Sequence, residues 1–411
     1  MTRLSLCCLI LLSLAKYSYG QGLYSISGTV KDTKGETLPG AGIYLSGYKI
    51  GTVADNNGKF SLNNLKPGNY DVLVQVIGFL PQNKNVIITN KSATIEVVLQ
   101  ENITQLQEVV IRADPERQYH LELFRKFFIG TTPHAKKCKI LNPQVIITEY
   151  DKKNRILKVT ANEFLIIENK ALGYRIKYLL DYFENNQSSN IVFYSGHPYF
   201  EELKASKSKK KEYLKYRDIA YRGSPQHFFQ SLYQNKTNEE GYIINKLIKI
   251  PNTNRPSDSV INAHINRILR PPANGGVVRI QVSADDSLAY WSKLKRQPKF
   301  INTLNRGNVL TDTLVKQIYP NLKTVNYSDA LYVIYTREKE TVEYTNLSGH
   351  SVSRPLDMPN YQISIVHQLE GPVNFFENGG IYDPRSLLYE GFWAYEKIAD
   401  MVPLDYIPQS K

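Results

Sequence analysis

Residues 51–72 read GTVADNNGKFSLNNLKPGNYDV. Two turn signals lie inside this stretch, Asp55-Asn56-Asn57-Gly58 and Lys66-Pro67-Gly68-Asn69. Gly58 suits a positive-φ corner, and Pro67-Gly68 suits a type II turn. The runs that follow the turns, Lys59–Leu62 and Tyr70–Ile77, are short and β-like. Working outward, the same grammar repeats. Tyr24–Lys31, Ala41–Leu45 and Gly51–Ala54 precede, and Val86–Thr89 and Ala93–Leu99 follow. Short strands at this spacing, separated by Gly, Asn and Asp turns, predict an all-β sandwich over residues 22–100. No window there keeps a helical period.

Five segments carry a family resemblance. They are Ser27-Gly28-Thr29-Val30, Leu38-Pro39-Gly40-Ala41, Gly51–Asp55 with Gly58-Lys59-Phe60, Leu65–Tyr70, and Ile77-Gly78-Phe79. In this order the region resembles the carboxypeptidase-regulatory-like domain, a transthyretin-like sandwich of about seven strands. The resemblance implies an accessory module and no peptidase. A zinc carboxypeptidase needs His-x-x-Glu and a later His. Here His367-Gln368-Leu369-Glu370 occurs with no His after it. In the alternating run ISIVHQLEG a strand reading serves better. The next piece, Leu106–Ile111, resembles the segment after this sandwich in TonB-dependent outer-membrane receptors. About 300 residues remain behind it, too few for a plug and a 22-strand barrel. Residues 101–114 therefore read as a linker, strand or tether, with docking to transport machinery as a minor option.

Residues 115–411 read as an α+β domain with antiparallel sheet. Asp114-Pro115 opens a helix whose buried stripe is Tyr119, Leu123 and Phe127, with Phe124 and Phe128 beside it. Strands are expected at Val145–Tyr150, Ile156–Thr160, Phe164–Glu168 and Tyr174–Phe183. Helical sequence resumes around Phe200–Tyr221, and Ser224-Pro225 caps another helix with Phe228, Phe229 and Leu232 inward. Tyr242–Ile250 looks β, and 251–275 loop-rich. Further strands are Val277–Ser283, Lys323–Asn326, Leu331–Thr336 and Tyr361–His367. Asp383-Pro384 opens a last helix through Ala399. Several stretches, GHPYFEEL (196–203) and EGFWAYEKIADMVPLDY (390–406) among them, resemble envelope proteins of Bacteroidetes that carry the same sandwich in front and no barrel behind. That resemblance brings no activity, substrate or cofactor.

The first twenty residues are an address. Arg3 precedes the apolar run Leu4–Leu14. Ser18 and Gly20 are small residues at −3 and −1 of a cut between Gly20 and Gln21. This is the pattern of a secretory signal peptide, and the run is too short to span a bilayer. An exported chain, periplasmic or outer-membrane associated, is expected. Of 411 residues, 51 are basic and 38 acidic. Cleavage removes Arg3 and Lys16, leaving 49 basic residues against 38, or +11. Cys7 and Cys8 also leave, so Cys138 remains alone and forms no internal disulfide. A buried thiol is the expectation there. A catalytic thiolate with His134 is the sharper alternative. The composition is that of a globular protein and excludes a disordered, collagenous or polytopic membrane chain.

Chemistry-bearing motifs are missing. There is no G-x-S-x-G, no phosphate loop, no C-x-x-C and no H-E-x-x-H. No catalytic, cofactor or metal residue is assigned. Acid pairs such as Glu239-Glu240 are common on surfaces, and adjacent strand residues face opposite ways. The densest basic run is Lys204–Lys215, where Lys207, Lys209, Lys210 and Lys211 form either a solvated helix face or an anionic contact. Lipid and acidic glycan fit an exported protein, and nucleic acid does not. The 29 Tyr read mainly as core residues (Tyr174, Tyr178, Tyr332, Tyr335). Exposed rings near Trp291 or Trp393 could instead stack on sugars. The expected function is a non-catalytic envelope module that binds a glycan or an envelope protein. A hydrolase in the C-terminal domain and a receptor-related accessory are the alternatives.

Overall fold

The computed structural model describes residues 23–102, 116–270, 287–347 and 352–409. Three expectations lie outside these residues. They are the leader with its cut between Gly20 and Gln21, nearly all of the 101–114 linker, and the strand at Val277–Ser283. Seven strands form first: β1 (Tyr24–Asp32), β2 (Gly42–Leu45), β3 (Gly51–Val53), β4 (Lys59–Leu65), β5 (Gly68–Gln75), β6 (Gln82–Ile88) and β7 (Ala93–Leu99). They make two sheets, β4-β1-β7 and β3-β2-β5-β6, with β1 and β7 parallel and the other pairs antiparallel. Alternation does the sorting. Ile26, Val30, Ile43, Leu45, Val72, Val74 and Val97 point inward and form one core. The Asp55 carboxylate accepts hydrogen bonds from the Asn57 and Lys59 amides, both at 2.8 Å. Gly58 takes φ 70° there, and a Cβ would lie 2.7 Å from the Val30 carbonyl oxygen.

The second part begins with α1 (Arg117–Phe128). It lies over a six-stranded sheet of β8 (Cys138–Ile140), β9 (Ile146–Asp151), β10 (Ile156–Ala161), β11 (Leu165–Asn169), β12 (Tyr174–Asn186) and β13 (Ile191–Glu202). Strand β12 is the spine. One edge pairs with β13 and the other is shared by β11 and β10. Next come α2 (Lys207–Tyr221), α3 (Pro225–Tyr233), β14 (Tyr242–Pro251), α4 (Asp258–Leu269) and α5 (Leu288–Arg296). The remaining strands are β15 (Phe300–Asn305), β16 (Val315–Tyr319), β17 (Leu322–Val325), β18 (Ala330–Lys339), β19 (Tyr361–Gln368), β20 (Val373–Phe376) and β21 (Leu387–Gly391). They form the sheets β15-β14-β18-β19-β21 and β16-β17-β20. Among the described residues of this part the strand pairings are antiparallel, as the α+β reading expects.

Four expectations need correction. The buried face of α1 is His120, Phe124 and Phe128, while Tyr119 is 55% exposed. The helix starts two residues after the Asp-Pro pair, and Phe124 and Phe128 stack on each other and edge-on against Phe183. Phe200–Glu202 belongs to β13, because it pairs with Tyr174–Ile176, and the helix begins only at Lys207. The loop-rich stretch contains α4, whose cap is Ser257 accepting from the Val260 amide. The last helix does not run from Asp383 to Ala399. Leu387–Gly391 pairs with β19, and Gly391 at φ 78° stops the strand before one helical turn, Phe392–Tyr395. Sheet pairing outweighs the helical period there.

Candidate functional site

The sandwich does not hang free. Tyr44 on β2 stacks on Tyr199 of β13 with centroids 4.3 Å apart, and Phe164 meets Tyr44 edge-on. Leu73, Leu179 and Ile166 close the same cluster. Lys177 Nζ donates to the Tyr44 hydroxyl at 3.0 Å and pairs with Glu201 at 2.8 Å. Backbone bonds stitch the rim: Gly47 N–H to Pro198 O at 2.6 Å, Phe200 N–H to Tyr48 O at 3.1 Å, and Leu404 N–H to Gly47 O at 2.7 Å. Asn378 Nδ2 donates to the Tyr48 hydroxyl at 2.8 Å.

Cys138 is buried, its Sγ donating to the His134 carbonyl at 3.5 Å. Burial pushes the thiol up to about 12, so it stays protonated. The His134 ring turns to Asp400 instead, at 2.8 Å, and the Thr132 hydroxyl donates to the same carboxylate. His367 faces Glu390 across β19 and β21 at 2.6 Å. The tyrosines named from the sequence, Tyr174, Tyr178, Tyr332 and Tyr335, are buried, as are Trp393 and Tyr395. Beside Trp291, only Tyr290 is exposed.

The lysine run forms the start of α2. Ser206 caps it, accepting from the Lys209 amide. Lys207, Lys210 and Lys211 are exposed, and Lys209 is held by Glu212 at 2.8 Å. Tyr213, Arg217, Ala220 and Tyr221 anchor the buried face. Arg217 donates to the carbonyls of Leu172 and Gly173 and to Glu202, with its guanidinium 3.8 Å from the Tyr174 ring centroid. No acid occupies the first turn, so cations sit at the positive end of the helix dipole. Changing Lys207 and Lys210 to Glu should stabilise the protein by about 0.3–1 kcal/mol each at low ionic strength. Thermal melts read this directly. A gain in stability with a loss of retention on anionic surfaces would separate a contact role from a folding role. A lowered melting temperature would show that the lysines are already matched by acidic groups.

One convergence of polar groups was not assigned from the sequence. A cleft of about 370 Å³ is lined by Arg222, Gln230, Gln234, Glu240, Arg337 and Gln409, with His227 at its wall. A second recess of about 250 Å³ lies across the 234–240 turn, lined by Asn235, Asn238, Glu239, Asn308 and Asp312 among others. Ser224 caps α3 by accepting from the His227 amide at 3.2 Å, which places His227 on the first turn. Its Nδ1 accepts from the Gly223 amide at 3.1 Å and faces the Tyr242 hydroxyl at 2.9 Å. Because the amide can only donate, the ring proton sits on Nε2 and points to Glu240 at 3.3 Å. Trp393 Nε1 donates to the Gly223 carbonyl at 2.6 Å and fixes the loop. Burial, opposed by Glu240, lowers His227 to about 4. Arg337 Nη1 lies 3.8 Å from the same Glu240 Oε2 that faces His227, and Arg337 also reaches the Glu239 carbonyl. The arrangement presents one oriented carboxylate among amides and guanidiniums. Sequence reasoning noted Glu239-Glu240 as a surface pair and Phe228, Phe229 and Leu232 as the face of α3. Nothing in the spacing of His227 and Glu240 signals that they meet.

With this geometry in hand, comparison with known proteins defines the first module. Residues 26–111 match the CarboxypepD_reg-like domain, and the N-terminal sandwich is a domain of that class. The chain is 36% identical over 87 residues to the TonB-dependent receptor SusC of Bacteroides thetaiotaomicron. That alignment covers 21% of this chain and 8% of the receptor. Among solved structures, catechol 1,2-dioxygenase from Acinetobacter sp. ADP1 aligns at 9% identity and a TM-score of 0.18, over 21% of this chain and 55% of that one. The minor pilin GBS52 of Streptococcus agalactiae aligns at 15% identity and 0.18, over 20% and 45%. Overlaps at these TM-scores carry no functional argument.

Proposed function

We propose that the chain is an exported cell-envelope protein that binds a hydroxyl-rich ligand, a glycan, in the cleft beside α3. The sandwich acts as a fixed, non-catalytic scaffold for that site. One observation carries the reading: Glu240 is oriented by the His227 N–H and accompanied by Arg337, Gln230, Gln234 and Gln409. Planar carboxylate, amide and guanidinium groups pair with adjacent sugar hydroxyls, which donate and accept at once. Among the described residues Glu240 is the one carboxylate lining this cleft, whereas glycoside hydrolysis takes two facing carboxyl groups. That favours binding over the hydrolase alternative. Envelope placement draws its support from the leader-like N-terminus, with its cut before Gln21, and from the sequence relation to SusC.

Titration of the mature chain with neutral and uronate-containing envelope oligosaccharides tests the proposal. We expect saturable binding without cleavage, weakened about tenfold or more by Glu240→Gln. Gln230→Ala should weaken it less. Released reducing ends would move the assignment to a hydrolase. Failure to bind any oligosaccharide, with a protein captured by cross-linking at this cleft, would move it to a protein-binding module.

A further inference from the structure

The insert between β14 and β15 is built unlike the rest of the chain. Helices α4 and α5 pack chiefly on each other, around Ile261, Trp291 and Leu294 with Ile265 and Ile268. They join the hairpin through Asn252 N–H to Lys299 O at 2.8 Å and Arg255 Nε to Gln297 O at 2.9 Å. So small a core leaves much apolar surface uncovered. Ile250 and Ile301 stand opposite each other in the ladder and share one face, while Phe300 lies on the other under Lys249 Nζ, 5.2 Å from its ring centroid. Val260, Leu269 and Tyr290 add to the exposed set, and these six side chains are 38–52% exposed. Among the described residues strand β15 is also a sheet edge, and it is exposed over most of its length.

Charge surrounds this surface. Over the described residues 252–270 and 287–299 the sequence holds seven basic residues and one acidic one. Lys293 and Arg296 lie exposed on α5, and Lys249 on β14. Apolar side chains ringed by cations match the interface of an anionic bilayer, where rings and aliphatic groups enter the acyl boundary and cations meet the headgroups. Among the described residues no helix is long and apolar enough to cross a membrane, so the contact would be peripheral. We infer that the tip formed by α4, α5 and the ends of β14 and β15 docks on an anionic lipid surface. This stands apart from the glycan cleft and rests on different residues.

Vesicle co-sedimentation of the mature chain tests it, with phosphatidylcholine alone against phosphatidylcholine containing phosphatidylglycerol. Binding is expected only with the anionic lipid and should fall with salt. The triple variant Lys249→Gln, Lys293→Gln, Arg296→Gln should lose about fivefold per cation, more than a hundredfold together. Ile250→Ser with Ile301→Ser should also release the protein, while Glu240→Gln should not. All changes are at exposed positions, and circular dichroism checks the fold. Equal binding to neutral vesicles, unaffected binding by both tip variants, or loss of binding with Lys207→Glu and Lys210→Glu instead would overturn the assignment. So would capture by an acidic polysaccharide without vesicle binding.

Discussion

Lowering the pH from 7 to 4 should remove about 3 kcal/mol of stability through His227 alone. The imidazole is 4% exposed and both of its nitrogens are engaged. In the folded state its pKa falls to about 4, against an ordinary 6.5. Below 6.5 the unfolded chain takes up a proton that the folded chain refuses until about 4. The contribution is therefore fully present above 6.5, shrinks as the pH falls, and levels off below 4. Urea titrations at stepped pH would show a slope of up to about 1.4 kcal/mol per pH unit in this window. His227→Asn keeps an acceptor near the Gly223 amide but cannot titrate, so its slope should flatten by that amount. If variant and parent keep the same slope, His227 is not a buried neutral group, and its Nδ1 is not the acceptor of the Gly223 amide.

That outcome bears on the cleft. A neutral His227 donates one hydrogen bond to Glu240 and adds no charge beside it, and Arg337 lies 3.8 Å from the same carboxylate. The proposed site is thereby a carboxylate set in a polar frame. The lysine helix and the α4–α5 tip offer a different chemistry, cations without a recess.

The sandwich was legible in the sequence because its register is written locally. Asp55 and Gly58 make a tight turn from their own backbone and side-chain bonds, and alternation then decides which residues face the core. The cap of α3 was legible for the same reason, with Ser224 and Pro225 adjacent to the helix they start. Long-range pairing was not. Leu387–Gly391 becomes a strand because β19 lies beside it, and no local signal encodes that neighbour. The phase of α1 slipped because Phe124 and Phe127 are equally apolar, and only Phe183 and Tyr178 across the sheet choose between them. The cleft was hidden more deeply. His227 and Glu240 meet across a turn, and a buried histidine has no sequence mark distinguishing it from a surface one. The boundary at 100 also concealed the seam, since Tyr44 reads as an ordinary strand residue until Tyr199 is beside it.

Tyr199→Ala is expected to cost about 3 kcal/mol, close to what a large buried aromatic loses on truncation. Tyr199 is 9% exposed and packs on Tyr44, Leu73, Phe164 and Leu179. Tyr44→Ala should cost less, because Tyr44 is only partly buried and its hydroxyl meets Lys177 at the rim. The pair should couple by about 1 kcal/mol in a double-mutant cycle, the usual worth of an aromatic contact beyond its buried area. Calorimetry supplies the sharper readout. With the seam intact, sandwich and α+β part should unfold in one transition, since each covers apolar surface of the other. In the double variant the covering is lost, and two transitions should separate. The backbone bonds at Gly47, Pro198 and Leu404 would remain but are rim contacts, too weak to hold the parts as one unit. A change under about 0.5 kcal/mol for Tyr199→Ala, or two transitions already in the parent protein, would mean that the sandwich is a tethered module free to engage a partner. One transition that splits only when the tyrosines are removed would mean that this aromatic seam holds the sandwich and the second part as one cooperative unit.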